Sequence, residues 1–215
     1  ASLPVREQLE RELSRICRKW PDAGAIAYFQ SHTNTHAPVS RLRTLFTEAL
    51  AVPGICGLSV ATRADCLPPD VLDLLAELNG KTDLTVELGL QTIHEETANR
   101  IHRCHSYAEF LTAYRALTER GIRVCVHLIN GLPGETEDMM LETASAVGLL
   151  RPGGVKIHLL HILSGTRLAH EWESGTVPML TREEYIRIVC RQLLRLPPET
   201  VVERLTGDGA KEFLL

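Results

Sequence analysis

The feature that most constrains this chain is a regular alternation of short apolar stretches with amphipathic stretches of helical periodicity. The apolar stretches recur about every 30 residues, from residue 25 to the end of the 215-residue chain. Parallel strands need long crossover connections, which helices supply, so the alternation predicts an α/β fold built on a parallel sheet. It does not by itself choose between a doubly wound sheet and a barrel. No strand is followed by G-x-G-x-x-G, which argues weakly against a dinucleotide-binding sheet.

The predicted elements cover most of the chain. The predicted strands are 25–30, 55–61, 84–90, 122–129, 154–160 and 200–204. The predicted helices are 5–20, 40–51, 69–79, 94–101, 106–120, 136–150 and 181–195. Ser106 with Glu109 and Thr181 with Glu184 have the spacing of a capping box, which marks a helix start. No linker interrupts the pattern, so we expect residues 1–215 to form a single domain.

Composition restricts the function classes. Hydrophobic residues make up 44% of the chain and charged residues 23%, as in soluble globular proteins, and the net charge is −4. No run of 18 apolar residues exists and no signal peptide is recognisable, so we expect no membrane partner. None of the six cysteines forms a C-x-x-C pair, which favours reduced thiols and a cytoplasmic location.

Polar residues recur on one side of several strands. In strand 84–90, Glu87 and Gln91 alternate with leucine and valine, and alternate residues of a strand point to opposite faces. Gln30, His127 and His158 have the same placement in other strands, so we expect all five in one polar interior. Active sites of barrels lie at the carboxyl ends of strands. Glu87, His127 and His158 are therefore the candidate catalytic residues, although an internal polar network that only fixes the core remains the alternative.

The segment His127–Thr136 runs from a strand through Asn130-Gly131-Leu132-Pro133-Gly134 into a helix start. Glycine lets the backbone approach a planar ligand closely. The residues alone leave two interpretations of this segment, a ligand-binding loop and an ordinary barrel turn.

Several motifs, in order, resemble the second half of a radical S-adenosylmethionine (SAM) core. The branch resembled is that of oxygen-independent coproporphyrinogen oxidase and the catalytic subunit of Elongator. More narrowly, the chain resembles the bacterial YhcC/YtqA-type radical SAM proteins. The motifs are Glu87–Thr92, Asn99–Arg103 and Leu128–Thr136 for the branch, and Tyr28–Thr35, Thr62–Cys66, His127–Ile129 and Arg204–Asp208 for the narrower type.

The resemblance implies a partial (β/α)6 TIM-like barrel and a set of cofactor contacts. In this branch the Gln91 position contacts the SAM ribose or its surroundings, and the Arg103 position approaches the SAM carboxylate. The stretch Ile129–Pro133 packs beside the adenine. Gln30 and Asn34 lie in the loop that replaces the glycine-rich motif for the SAM amine. The cofactor-binding set is therefore Gln30, Asn34, Gln91, Arg103, Asn130, Gly131 and Pro133.

One family feature is absent. The family holds its [4Fe-4S] cluster with C-x-x-x-C-x-x-C, and that triplet does not occur in this chain, so we assign no metal-ligating residue. We expect that the first strand and the cluster loop are missing, that five of six β/α units are present, and that this chain alone is inactive. The cluster ligands would then lie outside this chain.

The implied activity is reductive cleavage of SAM at the cluster, which needs a one-electron reductant and starts hydrogen abstraction from a substrate. Kinship with the Elongator branch suggests tRNA wobble uridine as the substrate. The arginines at 100, 103, 120 and 123 form either a basic rim for it, namely Arg100, Arg103, Arg120 and Arg123, or only solvated surface charges. A His-ligated metal-dependent barrel hydrolase and a non-catalytic RNA-binding barrel remain the alternatives.

Overall fold

In a computed structural model, residues 3–207 and 212–215 are described. Asp208, the last residue of one motif above, lies outside the described residues. The strands are β1 Ala25–Phe29, β2 Ile55–Thr62, β3 Asp83–Gln91, β4 Arg123–Asn130, β5 Gly154–Leu159 and β6 Val201–Arg204. The α-helices are α1 Val5–Lys19, α2 Val39–Leu50, α3 Pro69–Asn79, α4 Glu95–Arg100, α5 Tyr107–Thr118, α6 Glu137–Leu150, α7 Arg167–Glu173 and α8 Arg182–Leu193. A 3₁₀ turn spans Ala64–Cys66.

The order of the strands decides the question that the alternation left open. The six strands follow one another in the sheet as β1-β2-β3-β4-β5-β6. A doubly wound sheet reverses its strand order at a switch point, whereas a barrel adds each strand beside the previous one. The order is therefore that of a partial (β/α)6 barrel. Each of β1 to β5 is followed by helical structure, which gives the expected five β/α units, and β6 adds a further strand.

The chain divides into two compact units, and each is described by itself. The first contains residues 1–88 and 112–124, and within it β2 pairs in parallel with both β1 and β3. The apolar residues of β3 that were predicted to face the core, among them Val86 and Leu88, are fully buried. The sequence pattern thus predicts the buried face of this strand correctly.

The second unit contains residues 89–111 and 125–215, and here β5 pairs in parallel with β4 and β6. Both predicted capping boxes are present: the Ser106 hydroxyl accepts from the Glu109 amide, and the Thr181 hydroxyl accepts from the Glu184 amide. Helix α7 was not predicted, because seven residues give too short a periodic pattern. Its start is marked by Thr166, whose side chain accepts from the Ala169 amide.

Across residues 3–207 and 212–215, no helix combines the length and the apolar character that crossing a membrane requires.

Candidate functional site

Glu87 is a buried carboxylate with satisfied partners in the first unit. It is 3% exposed, and its two oxygens accept hydrogen bonds from the Tyr28 hydroxyl at 2.7 Å and the Ser59 hydroxyl at 2.5 Å. A buried carboxylate costs several kcal/mol unless it is hydrogen-bonded, so these hydroxyls compensate its burial. The sequence predicts Glu87 at an interior position, but it does not indicate that Tyr28 bonds to it.

Asn34 organises the loop after β1. Its carboxamide nitrogen donates to the carbonyls of Phe29, Ser31 and Ala61 at 3.0–3.2 Å. These bonds tie the loop to the end of β2 and commit the nitrogen to the backbone. Gln30, the other predicted residue of this loop, is exposed and lines a cavity of about 260 Å³ with Tyr28 and Asn34.

Gln91 ends β3 in an unusual backbone conformation. Its φ angle is 63°, in the left-handed region that glycine favours. The Thr92 amide donates to the Leu90 carbonyl at 2.8 Å, which closes a three-residue turn centred on Gln91. Strict alternation of faces holds only along extended backbone, so the turn rather than the strand sets the direction of Gln91.

Arg103 is deeply buried beside this turn. Its side chain is 3% exposed, and its Nε donates to the His105 carbonyl at 2.9 Å. Nη1 donates to both the Leu90 carbonyl, at 3.0 Å, and the Thr92 carbonyl. Nη2 is buried, has no hydrogen-bond partner in the described part of the chain, and lies 3.7 Å from Glu95 Oε2. Desolvation lowers the pKa of Arg103, although the guanidinium remains charged at neutral pH.

This burial corrects the expectation that Arg103 belongs to an exposed basic rim. Backbone carbonyls of Leu90, Thr92 and His105 bind two of its three guanidinium nitrogens, so Arg103 is part of the interior. Two other arginines of the predicted rim have acidic partners: Arg100 lies 3.3 Å from Glu171, and Arg120 lies 3.4 Å from Asp73.

His127 on β4 and His158 on β5 come together in the second unit. Their ring centroids are 5.5 Å apart. Burial, followed by the positive groups of His127, Arg204, Lys156 and His161, lowers the pKa of His158 to about 4, so its ring is neutral at pH 7. Its buried Nε2 has no hydrogen-bond partner among the described residues. A buried nitrogen without a partner costs about 1–3 kcal/mol, and a ligand that bonded to it would recover that cost.

The turn after β4 has two different parts. Asn130 is 1% exposed, and its carboxamide pairs reciprocally with that of Gln192 at 2.8 and 2.9 Å. Gly131 has φ of 83°, and a Cβ atom there would lie 3.3 Å from Leu180 Cδ1. The Asn130 side chain therefore anchors the turn to α8, while glycine at 131 avoids both strain and crowding.

Next to this turn lies an apolar cavity of about 450 Å³. Its apolar wall includes Ile129, Leu132 and Pro133 from β4 and the turn, and Leu160 just after β5. Polar groups at its edge include Glu171, whose carboxylate accepts from Arg167 at 2.8 Å and from Arg100 at 3.3 Å. These hydrogen bonds, first that from Arg167, lower the pKa of Glu171. The volume lies in the range of small-molecule sites, and the apolar wall suits a flat ring.

Sequence reasoning selected Pro133 but missed the part of this wall that follows β5. Leu160, Thr166 and Leu168 all line the cavity. The available signal was the turn Leu163-Ser164-Gly165-Thr166, in which Thr166 marks a helix start. Extending the strand-end argument from β4 to its neighbour β5 would have selected Leu160.

Cysteines and histidines do not gather into a metal site in the described ranges. No three His, Cys, Asp or Glu side chains within 3–207 and 212–215 are placed to hold a metal ion. In the first unit, Cys66 Sγ lies 3.9 Å from His36 Nδ1 and 3.8 Å from Asp65 Oδ1. Burial and the neighbouring Asp65 raise the pKa of the Cys66 thiol, which keeps it protonated.

Comparison with known families identifies the class of protein. The model of the Radical SAM superfamily matches residues 3–147, and that of the Radical_SAM C-terminal domain matches residues 152–215. The chain belongs to the Radical SAM superfamily. Members of this superfamily use S-adenosylmethionine and a [4Fe-4S] cluster.

Two bacterial proteins illustrate the narrower relationship. The chain is 52% identical to uncharacterized protein YtqA of Bacillus subtilis over 202 residues, and 38% identical to protein YhcC of Escherichia coli K12 over 212 residues. These matches cover 94% and 98% of the chain, but only 63% of YtqA and 68% of YhcC. The resemblance to this type is confirmed.

Two solved structures share the fold. The archaeal Elp3 of Methanocaldococcus infernus superposes with a TM-score of 0.82 at 19% identity, over 98% of this chain and 54% of its own. Coproporphyrinogen III oxidase (HemN) of Escherichia coli superposes with a TM-score of 0.61 at 18% identity, over 79% of this chain and 39% of its own. The partial barrel of the radical SAM type is thus confirmed.

The residues of the second unit fit S-adenosylmethionine. The apolar cavity offers a wall for an adenine ring, and Arg103 Nη2 is a buried donor without a hydrogen-bond partner in the described residues. The described residues offer no comparable set for the [4Fe-4S] cluster.

Proposed function

We propose that this chain is the SAM-binding part of a radical SAM enzyme, an iron–sulfur oxidoreductase or transferase. In such an enzyme, SAM supplies a 5′-deoxyadenosyl group that starts hydrogen abstraction from a substrate once the cofactor is reductively cleaved. The observation that carries the proposal is the apolar cavity of about 450 Å³ beside the Gly131–Pro133 turn, in a chain that belongs to this superfamily.

The adenosine part of SAM would lie in that cavity. Ile129, Leu132, Pro133 and Leu160 form an apolar wall, and burial of a ring against such a wall removes apolar surface from water. Gly131 lies between Ile129 and Leu132 of that wall, and it adopts the positive φ of the turn without strain because it has no Cβ atom. These residues bind and orient the cofactor, and they exclude water from it.

Gln91 and Arg103 would hold the polar part of SAM. Two nitrogens of Arg103 are engaged with backbone carbonyls, so Nη2 is the donor that remains for the SAM carboxylate. In the described structure Nη2 already faces Glu95 at 3.7 Å, and the SAM carboxylate would compete with this partner. Gln30 and Asn34 keep their assignment to the amine end of SAM, with Asn34 acting through the loop that it organises.

The candidate catalytic residues are Glu87 in the first unit and His127 and His158 in the second. The pKa of about 4 keeps His158 neutral at pH 7, so its ring offers one donor and one acceptor without adding charge to the site. Its unpartnered Nε2 supports a hydrogen bond to the substrate. Glu87 is held in a fixed position by Tyr28 and Ser59.

The cluster ligands would come from outside this chain, together with a one-electron reductant. The 215 residues alone would then be inactive. We place the enzyme in the reducing cytoplasm, which is supported by six free cysteines.

For the substrate we propose tRNA, with the wobble uridine as the site of modification. The support is the sequence similarity to Elongator complex protein 3, which is 28% identical over 156 residues. Three arginines of the expected basic rim add no support, since Arg103 is buried and Arg100 and Arg120 have acidic partners. Binding of purified tRNA to the full-length protein, measured at two salt concentrations, tests this point. A complex that weakens with salt is expected, and no detectable complex would remove tRNA from the proposal.

The SAM site is tested by filling the cavity. Leu160→Trp in the full-length, cluster-loaded protein should lower SAM affinity at least about tenfold in calorimetric titration, because the indole occupies the space of the adenine. The matched control is Leu149→Trp on α6, where the leucine is 85% exposed and does not line the cavity. Equal SAM affinity of the two variants, with unchanged iron content, would contradict the proposal.

A further inference from the structure

The turn at the end of β3 is strained, and something must hold it. Gln91 has φ of 63°, a region that costs a non-glycine residue about 1–2 kcal/mol. The bond from the Thr92 amide to the Leu90 carbonyl closes a tight turn around it, a form that is rare for this sign of φ. Such conformations persist where surrounding contacts over-determine them, and they concentrate at functional sites.

Arg103 contacts the turn on both sides of the strained residue. Its Nη1 donates to the carbonyl of Leu90, which precedes Gln91, and to the carbonyl of Thr92, which follows it. A single nitrogen can satisfy both carbonyls only if the backbone between them is folded back. The third bond, from Nε to the His105 carbonyl, fixes the guanidinium against the loop after α4.

Thr92 is held from the other direction. Its hydroxyl donates to Glu135 at 2.5 Å, and this residue follows the turn after β4. Burial raises the pKa of Glu135, while the hydrogen bond from Thr92 lowers it. The residue after Gln91 is thus fixed by its carbonyl, its amide and its side chain.

We propose that Arg103 is a positioning residue that holds Gln91 in the left-handed turn by bridging the carbonyls of Leu90 and Thr92. This role differs from the predicted contact of Arg103 with a carboxylate, because it acts through Gln91 and needs no ligand. Its functional meaning rests on the proposed SAM site at this strand end. Stability is measured without SAM, so the outcome for Arg103 does not depend on whether the proposed SAM site is correct.

The test compares glycine with alanine at position 91. Gln91→Gly and Gln91→Ala are made in the full-length protein, once with Arg103 and once with Arg103→Lys, and the unfolding equilibrium constants are measured in urea. With Arg103, the glycine variant should be more stable by about fivefold, because alanine alone bears the left-handed strain. Lysine keeps the charge, but its single nitrogen reaches about one bond less far than Nη1 and leaves the His105 carbonyl without a donor, so with lysine the preference should vanish or reverse in favour of alanine. Equal preference for glycine in both backgrounds, or no preference with Arg103, overturns the proposal.

Glu95→Gln is the matched control. It removes the carboxylate 3.7 Å from Nη2 but leaves the three carbonyl bonds, so the preference for glycine at position 91 should persist. Loss of the preference in this variant would show that charge pairing, rather than the bridge, holds the turn. If the lysine variants are unfolded in buffer, all proteins are compared in sucrose, which favours the folded state. Lysine variants that stay unfolded there would count against the proposal, since Arg103 would then support much more than residue 91.

Discussion

The buried polar groups of the two units differ in how far their hydrogen-bonding capacity is met. In the first unit, Glu87 accepts from Tyr28 and Ser59, and the Asn34 carboxamide nitrogen donates to three carbonyls. In the second unit, His158 Nε2 and Arg103 Nη2 are buried without hydrogen-bond partners among the described residues. Groups of the first kind are explained by the fold alone. Groups of the second kind keep capacity for a ligand, so the comparison favours the second unit as the main contributor to SAM binding.

The largest expected effect on stability belongs to Arg103. Its Nε and Nη1 have hydrogen-bond partners in the fold, whereas its Nη2 has none among the described residues. Arg103→Ala removes the donors to the carbonyls of Leu90, Thr92 and His105 and leaves them buried. We expect a loss of about 3–4 kcal/mol in the free energy of unfolding, measured in urea. Arg18→Ala, at an exposed arginine in the last turn of α1, is the control and should change it by less than about 0.5 kcal/mol. A similarly small effect at Arg103 would mean that its bonds are not part of the fold.

A smaller effect should appear as a dependence of stability on pH. The pKa of His158 is about 4 in the folded protein, against the ordinary histidine value of 6.5, so the unfolded state binds the proton more readily. The stability that the neutral ring of His158 contributes is fully present above pH 6.5 and is lost as the pH falls toward 4. Between pH 7.5 and pH 5 the loss from this group should be about 2 kcal/mol.

His158→Leu isolates this contribution. The variant should lack that part of the pH dependence, and without ligand it should be about as stable as the parent at pH 7.5, since the unpartnered Nε2 is removed. Urea unfolding of both proteins at the two pH values checks this. Parallel pH profiles would show that His158 is not the titrating group, and a large loss at pH 7.5 would show that its nitrogen has a partner.

The smallest of the three effects is expected at Glu87, the buried carboxylate whose two oxygens both accept hydrogen bonds. Tyr28→Phe removes the hydroxyl that donates to Glu87 at 2.7 Å and should cost about 1.5 kcal/mol in the free energy of unfolding, with SAM affinity unchanged. Titration calorimetry of the cluster-loaded protein supplies the second measurement. If SAM affinity falls tenfold while stability holds, the Tyr28 hydroxyl contributes to the ligand site and is not explained by the fold alone, so the comparison fails.

Much of the architecture could be predicted from the sequence. Period-two alternation in 84–90 correctly identifies Leu84, Val86, Leu88 and Leu90 as core, and all are at most 1% exposed. Capping residues identify helix starts because the first turn must satisfy its own amides, which is a local requirement. Helix α7 was missed because a seven-residue helix carries little periodic signal.

The candidate site could be predicted only in part. The turn at Gly131 and Pro133 is recognisable, since glycine and proline act locally on the backbone. The family resemblance added Gln91 and Arg103. Neither source indicated that Arg103 is buried, or that Asn130 would be engaged by Gln192, 62 residues further along the chain. The single-domain expectation stays a prediction.

By itself, the sequence determined the alternation of strands and helices, the buried strand faces and the membership of the family, since these depend on short periodic patterns and ordered motifs. Tertiary structure alone decided which polar groups are satisfied. Glu87 meets Tyr28 across 59 residues of chain, and Thr92 meets Glu135 across 43, while His158 Nε2 meets no partner in the described residues. The reason is physical: a hydrogen bond depends on distance and direction between groups that only the packed sheet and helices bring together, and local sequence carries no record of either.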